Sequence, residues 1–139
     1  MTHKASTEDT EFIRAFEAFE NPLSDFKHYS HLRMGFTYLC EQDIKATSSR
    51  ARRVLCSVLS HNGIEPSAKY HETMTRAWVL AVHHFMACTP ETSSAAEFIE
   101  ANPKLLDTGI MMTHYSKDLL FSDAARSSFV EPDLAPIHN

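Results

Sequence analysis

Apolar residues recur at intervals of three and four along most of the chain, the spacing that lays a stripe down one face of an α-helix. Phe12, Phe16 and Phe19 predict a first helix from about Thr7 to Glu20. "ENPLS" breaks it, and Ser24 is a suitable N-cap for a second helix to about Asp43, with Leu32, Phe36 and Leu39 as its stripe. Ala51, Leu55, Val58 and Leu59 mark a third, from about Ile44 to His61, which "HNG" ends with Gly63 supplying a left-handed turn. Pro66 suits the first position of a fourth, which continues to about Ala87 with Met74, Trp78, Ala81 and Phe85 facing the core.

Beyond "CTPETSS" the pattern shortens. "SAAEFIEAN" and "SDAARSSF" predict brief helices, and "VEPDLAPIHN", with two prolines, an extended tail over 130–139. Residues 1–6 are expected to be loose. The expected architecture is a single all-α domain over 1–139, an up-down bundle of about four main helices wrapped by a C-terminal third of short helices and extended chain.

A chain of 139 residues can bury a real core without metal or disulfide staples. Thirteen basic against eighteen acidic residues leave a net charge of −5, which lacks the basic face of a general nucleic-acid binder. No apolar run approaches the roughly 18 residues of a membrane span, so no membrane partner is expected. "MTHKASTEDTE" carries no apolar signal-peptide core, and Cys40, Cys56 and Cys88 are widely spaced with no CxxC pair. They read as reduced packing residues of a cytoplasmic protein. The oligomeric state stays open, a homodimer included.

Nine histidines change the picture. In "SDFKHYSHLRMGF" a wheel at about 100° per residue sets His28 beside Leu32 and Leu39, with His31 at the edge of the same face. Gly35 projects between them, one turn on. Glycine inside a helix costs about 1 kcal/mol relative to alanine, so it implies either close helix packing or room for a ligand. In "KYHETMTRAW" His71 falls with Met74, Trp78 and Val82 on the core side, while Glu72 points away toward Arg76 at i, i+4. If the second and fourth helices run parallel, His28, His31 and His71 share one layer of the bundle.

Three neutral imidazoles at one level would suit a single Zn²⁺, Fe²⁺ or Cu²⁺ and leave a coordination position open for catalysis. The expected function is therefore a small enzyme acting on a small-molecule substrate. His28, His31 and His71 would be metal ligands, Tyr38 or Tyr70 would assist proton transfer, and Arg52 would hold an anionic group. A metal-free version would use the same histidines as general acid and base. Neither Glu-x-x-His nor HExxH occurs, so no motif supports the metal independently. His114 is a candidate fourth ligand. His83 and His84 read as surface or boundary residues, and His3, His61 and His138 as solvated. The rival reading is a helical binding or regulatory module whose histidines only pack and hydrogen-bond.

Overall fold

The computed structural model describes residues 2–137, and every regular element among them is helical. Helix α1, Thr7–Glu17, starts in a capping box: the Ser6 hydroxyl accepts the Asp9 N–H and the Asp9 carboxylate accepts the Ser6 N–H. It ends in a Schellman motif, with Phe19 N–H to Phe16 O at 3.1 Å and Glu20 N–H to Ala15 O at 2.9 Å. Glycine usually holds the left-handed position of that motif. Here Phe19 does, at φ 62°, where a β-carbon costs roughly 1–2 kcal/mol.

Helix α2 is His28–Leu39. Ser24 does not cap it but lies in a 3₁₀ turn, Leu23–Asp25, and Phe26 is extended at φ −89°, ψ 101°. Leaving the helical path brings the Phe26 ring onto Phe16, stacked at 4.0 Å. His28 is thus the first helical residue, not one a turn inside. Helix α3, Ile44–His61, is capped by the Asp43 carboxylate and closes on Gly63 at φ 74°, as the sequence predicts.

The predicted fourth helix is two. Pro66–Lys69 makes one turn, α4, and Glu72–Ala87 forms α5, with Tyr70 and His71 extended between them. Tyr70 uses the break to pack on the core, and His71 caps α5. There follow α6, Ala95–Ala101, two 3₁₀ turns at Pro103–Leu106 and Thr108–Thr113, α7, Lys117–Leu120, and α8, Asp123–Ser127. Among the described residues no helix is long and apolar enough to cross a membrane.

Helix α5 lies against α2, α3 and α8, while α1 packs on α2 and α3, and α6 on α2. Ile13, Phe16, Tyr38 and Val58 belong to one buried cluster, and Leu32, Phe36, Val82 and Phe98 to a second. The third joins α5 to the C-terminal segment through Ala77, Ala81, Met111, Tyr115 and Leu120. Gly35 is buried, and a β-carbon there would stand 3.9 Å from Val82 Cγ2. Gly35 lies where α2 meets α5, and a β-carbon there would touch Val82 at an ordinary contact distance.

Residues 2–6 are not loose. Lys4 N–H bonds Thr92 O at 2.9 Å, and His3 is only 8% exposed. After α8 the described residues form no regular element, and Tyr115 O–H donates to Val130 O at 2.7 Å.

Candidate functional site

The break before α5 decides what His71 does. As the N-cap it turns Nδ1 onto the Met74 N–H at 3.0 Å, and its Nε2–H donates to Leu120 O at 2.7 Å. Both ring nitrogens are engaged, and the partners fix the neutral Nε2–H tautomer. His28, at the start of α2, donates Nε2–H to Leu105 O at 2.8 Å and meets Trp78 edge-on at 4.6 Å.

His31 has no such tie. Phe26 crosses its ring edge-on at 4.5 Å. Crowding by neighbouring atoms, and then the nearby His28, lower its pKa below the usual imidazole value. The residue as a whole is nevertheless exposed, and the water on its open side limits how far that shift goes.

In this arrangement two of the three expected ligands, His28 and His71, are hydrogen-bonded elsewhere. The Nε2 atoms of His28 and His71 address two different carbonyls, Leu105 and Leu120. Among the described residues no three of histidine, cysteine, aspartate and glutamate are grouped to hold a metal ion. His114 does not join the others: its Nδ1–H donates to Ala135 O at 2.9 Å within the C-terminal third.

The proposed helpers are occupied as well. Tyr38 is fully buried, donates to Glu17 Oε2 at 2.5 Å and lies beneath the Arg50 guanidinium at 4.2 Å. Burial and then the Glu17 carboxylate raise its pKa. The Tyr70 hydroxyl donates to Glu72 at 2.7 Å, and burial and that carboxylate raise its pKa too. Both tyrosine hydroxyls thus donate to carboxylates. Arg52 is exposed and faces Glu72 at 3.7 Å. Arg76, the expected partner of Glu72, stands instead over the Phe129 ring at 4.7 Å.

Two of the remaining histidines, His3 and His83, depart from expectation. His3 is a latch: Nε2–H donates to Met86 O at 2.8 Å, while Nδ1 accepts the Thr92 N–H at 3.2 Å and faces Thr92 Oγ1 at 2.8 Å. His83 is half-buried, not solvated, and its buried Nδ1 has no hydrogen-bond partner. His61 is exposed, as expected, and lies flat against Phe19. His138 falls outside the described residues.

Four histidines thus use a ring N–H to bind a distant backbone carbonyl. At three of these anchors a large apolar side chain stands out beside the held carbonyl: Leu106 next to Leu105, Phe121 next to Leu120, Leu134 next to Ala135. They are 49%, 53% and 58% exposed. His114 also accepts Leu134 N–H at 2.9 Å through its own carbonyl.

Two surface clefts, about 450 Å³ along Met86–Pro90 and about 240 Å³ between α1 and α3, are not lined by His28, His31 or His71. No family model, no curated protein and no solved structure matches the chain.

Proposed function

We propose that this chain is a helical binding module that offers an apolar surface from its C-terminal third to a protein partner. One observation carries the reading: each histidine-held carbonyl in that third is adjacent to an exposed Leu106, Phe121 or Leu134. Ordering an irregular segment costs entropy that short helices alone do not offset, and a side-chain N–H to a buried carbonyl contributes about 1 kcal/mol toward it. Exposed apolar side chains on a braced segment are a usual sign of a contact surface. The up-down order of α1, α2, α3 and α5 belongs to this proposal as the scaffold. So does a reducing compartment such as the cytoplasm, which suits three unpaired cysteines.

Photo-crosslinking residues placed at 106, 121 and 134 in the native host test it, with Glu97 on α6 as the exposed control. A discrete adduct common to these positions and missing at 97 is expected. Absence of any adduct, or equal labelling at 97, would overturn it. Stoichiometric zinc, iron or copper in untagged protein, lost in His71→Ala, would replace it with the enzyme reading.

A further inference from the structure

Arg53, Ser57 and His61 stand at i, i+4 and i+8, one row along α3. The end of α1 faces that row with Glu17 and Phe19, and the two helices enclose the cleft of about 240 Å³, lined by Glu17, Phe19, Arg53, Val54 and Ser57. The Phe19 ring stacks on His61 with centroids 4.2 Å apart and planes 7° from parallel, yet remains 40% exposed. Its left-handed backbone, where glycine would be easier, is what carries the ring to this place.

The charges in the cleft are unevenly matched. Glu17 is satisfied from outside: it accepts Arg50 Nε at 3.0 Å, Arg50 Nη2 at 2.9 Å and the Tyr38 hydroxyl at 2.5 Å. Arg53 is left over. Among the described residues the other arginines each hold a carboxylate, a carbonyl or an aromatic face, and Arg53 holds none. The Ser57 hydroxyl is unengaged beside it. An open guanidinium fork, a hydroxyl donor and an exposed aromatic ring therefore share one small cleft.

We infer that this cleft binds a small anion, a carboxylate or phosphate, carried on a flat apolar ring. Arg53 receives the anion through paired N–H donors, Ser57 adds a third, and the ligand ring lies against Phe19. The inference involves α1 and α3 alone and does not rest on the apolar surface of the C-terminal third.

Titration of the full chain with phenyl phosphate, benzoate and inorganic phosphate, followed by the NMR signals of the His61 ring and the Ser57 amide, tests it. Saturable shifts are expected, with phenyl phosphate roughly tenfold tighter than inorganic phosphate. The ratio of benzoate to phenyl phosphate identifies which anion the fork prefers. Arg53→Gln should weaken all three ligands roughly tenfold or more. Phe19→Gly, which suits the left-handed backbone, should stay folded and bind phenyl phosphate no better than inorganic phosphate. Phe19→Asn repeats the test should the glycine variant unfold. Non-saturating shifts in the wild type, or saturable shifts that survive Arg53→Gln, would overturn the site.

Discussion

Replacing His71 by alanine removes two contacts at once, and the structure allows each to be sized. The first is the cap. Nδ1 satisfies the Met74 N–H, one of the α5 donors with no intrahelical acceptor, and loss of an N-cap side chain costs about 1 kcal/mol. The second is the 2.7 Å bond from Nε2–H to the carbonyl of Leu120, a residue 1% exposed. A buried carbonyl left without its donor costs about 1–3 kcal/mol. His71→Ala should therefore lose about 2–4 kcal/mol, which in a chain of this size lowers the unfolding midpoint by roughly 6–12 °C. Asparagine caps well but is too short to reach Leu120, so His71→Asn should recover about 1 kcal/mol. Urea unfolding followed by circular dichroism measures all three proteins, with a chelator present throughout to exclude any stabilisation by metal. Amide exchange should show the extra opening of the alanine variant around α7. The reasoning fails if alanine costs less than about 0.5 kcal/mol or if asparagine is no better than alanine.

The other expectations follow from groups whose environment is equally explicit. Crowding and the adjacent His28 hold the His31 pKa below its unfolded value of 6.5, so the fold favours the neutral ring. The stabilisation is complete above that value and is lost as pH falls toward the folded one; His31→Gln should flatten stability against pH below about 6.5, and an unchanged slope would contradict the shift. Burial raises the pKa of Asp9, but hydrogen bonds from Ser6, the Ala95 N–H and Arg33 outweigh it and leave the carboxyl below 3.8. Its contribution is present above the carboxylate range and lost as pH falls through the folded pKa; Asp9→Asn should cost about 2–4 kcal/mol at pH 7, a difference that narrows in acid unfolding. Gly35→Ala should raise stability by up to about 1 kcal/mol, since its β-carbon meets Val82 at an ordinary 3.9 Å, whereas Gly35→Leu should lose about 1–3 kcal/mol by overpacking. Destabilisation by alanine in a thermal melt would mean that α2 and α5 tolerate no side chain there.

Helical periodicity was legible because the stripes that predict α1, α3 and the body of α5 are local. Gly63 was legible for the same reason: a left-handed turn after a helix is what its missing side chain permits. Local signals could not place Phe26 or His71. Both positions are compatible with a helix, and each leaves it for a contact distant in sequence, Phe26 for Phe16 and His71 for Leu120. Phe19 is a harder case. The same Schellman bonds form at the ends of α1 and α3, yet nothing in "AFEAFEN" indicates that a phenylalanine takes the glycine position. The i, i+4, i+8 spacing of Arg53, Ser57 and His61 was readable, but no pattern in the chain shows that Arg50 and Tyr38 satisfy Glu17 and so leave Arg53 open.

The displacement of those helix starts also separates the two accounts of the histidines. The metal reading placed His28 and His71 a turn or more inside parallel helices, where inward rings at equal height would converge. At the first position of α2 and the cap of α5 they stand at helix ends, where unsatisfied backbone groups and returning chain are the nearest polar partners. A neutral imidazole suits that place because one ring can accept a helix N–H and donate to a passing carbonyl, as His71 does. Serine or asparagine can cap, but neither spans from a helix end to a second segment. A C-terminal third with few long helices has many carbonyls to satisfy, and a supply of such two-ended side chains is one physical solution. The same two-ended use recurs at His3, whose Nδ1 accepts the Thr92 N–H while Nε2–H donates to Met86 O.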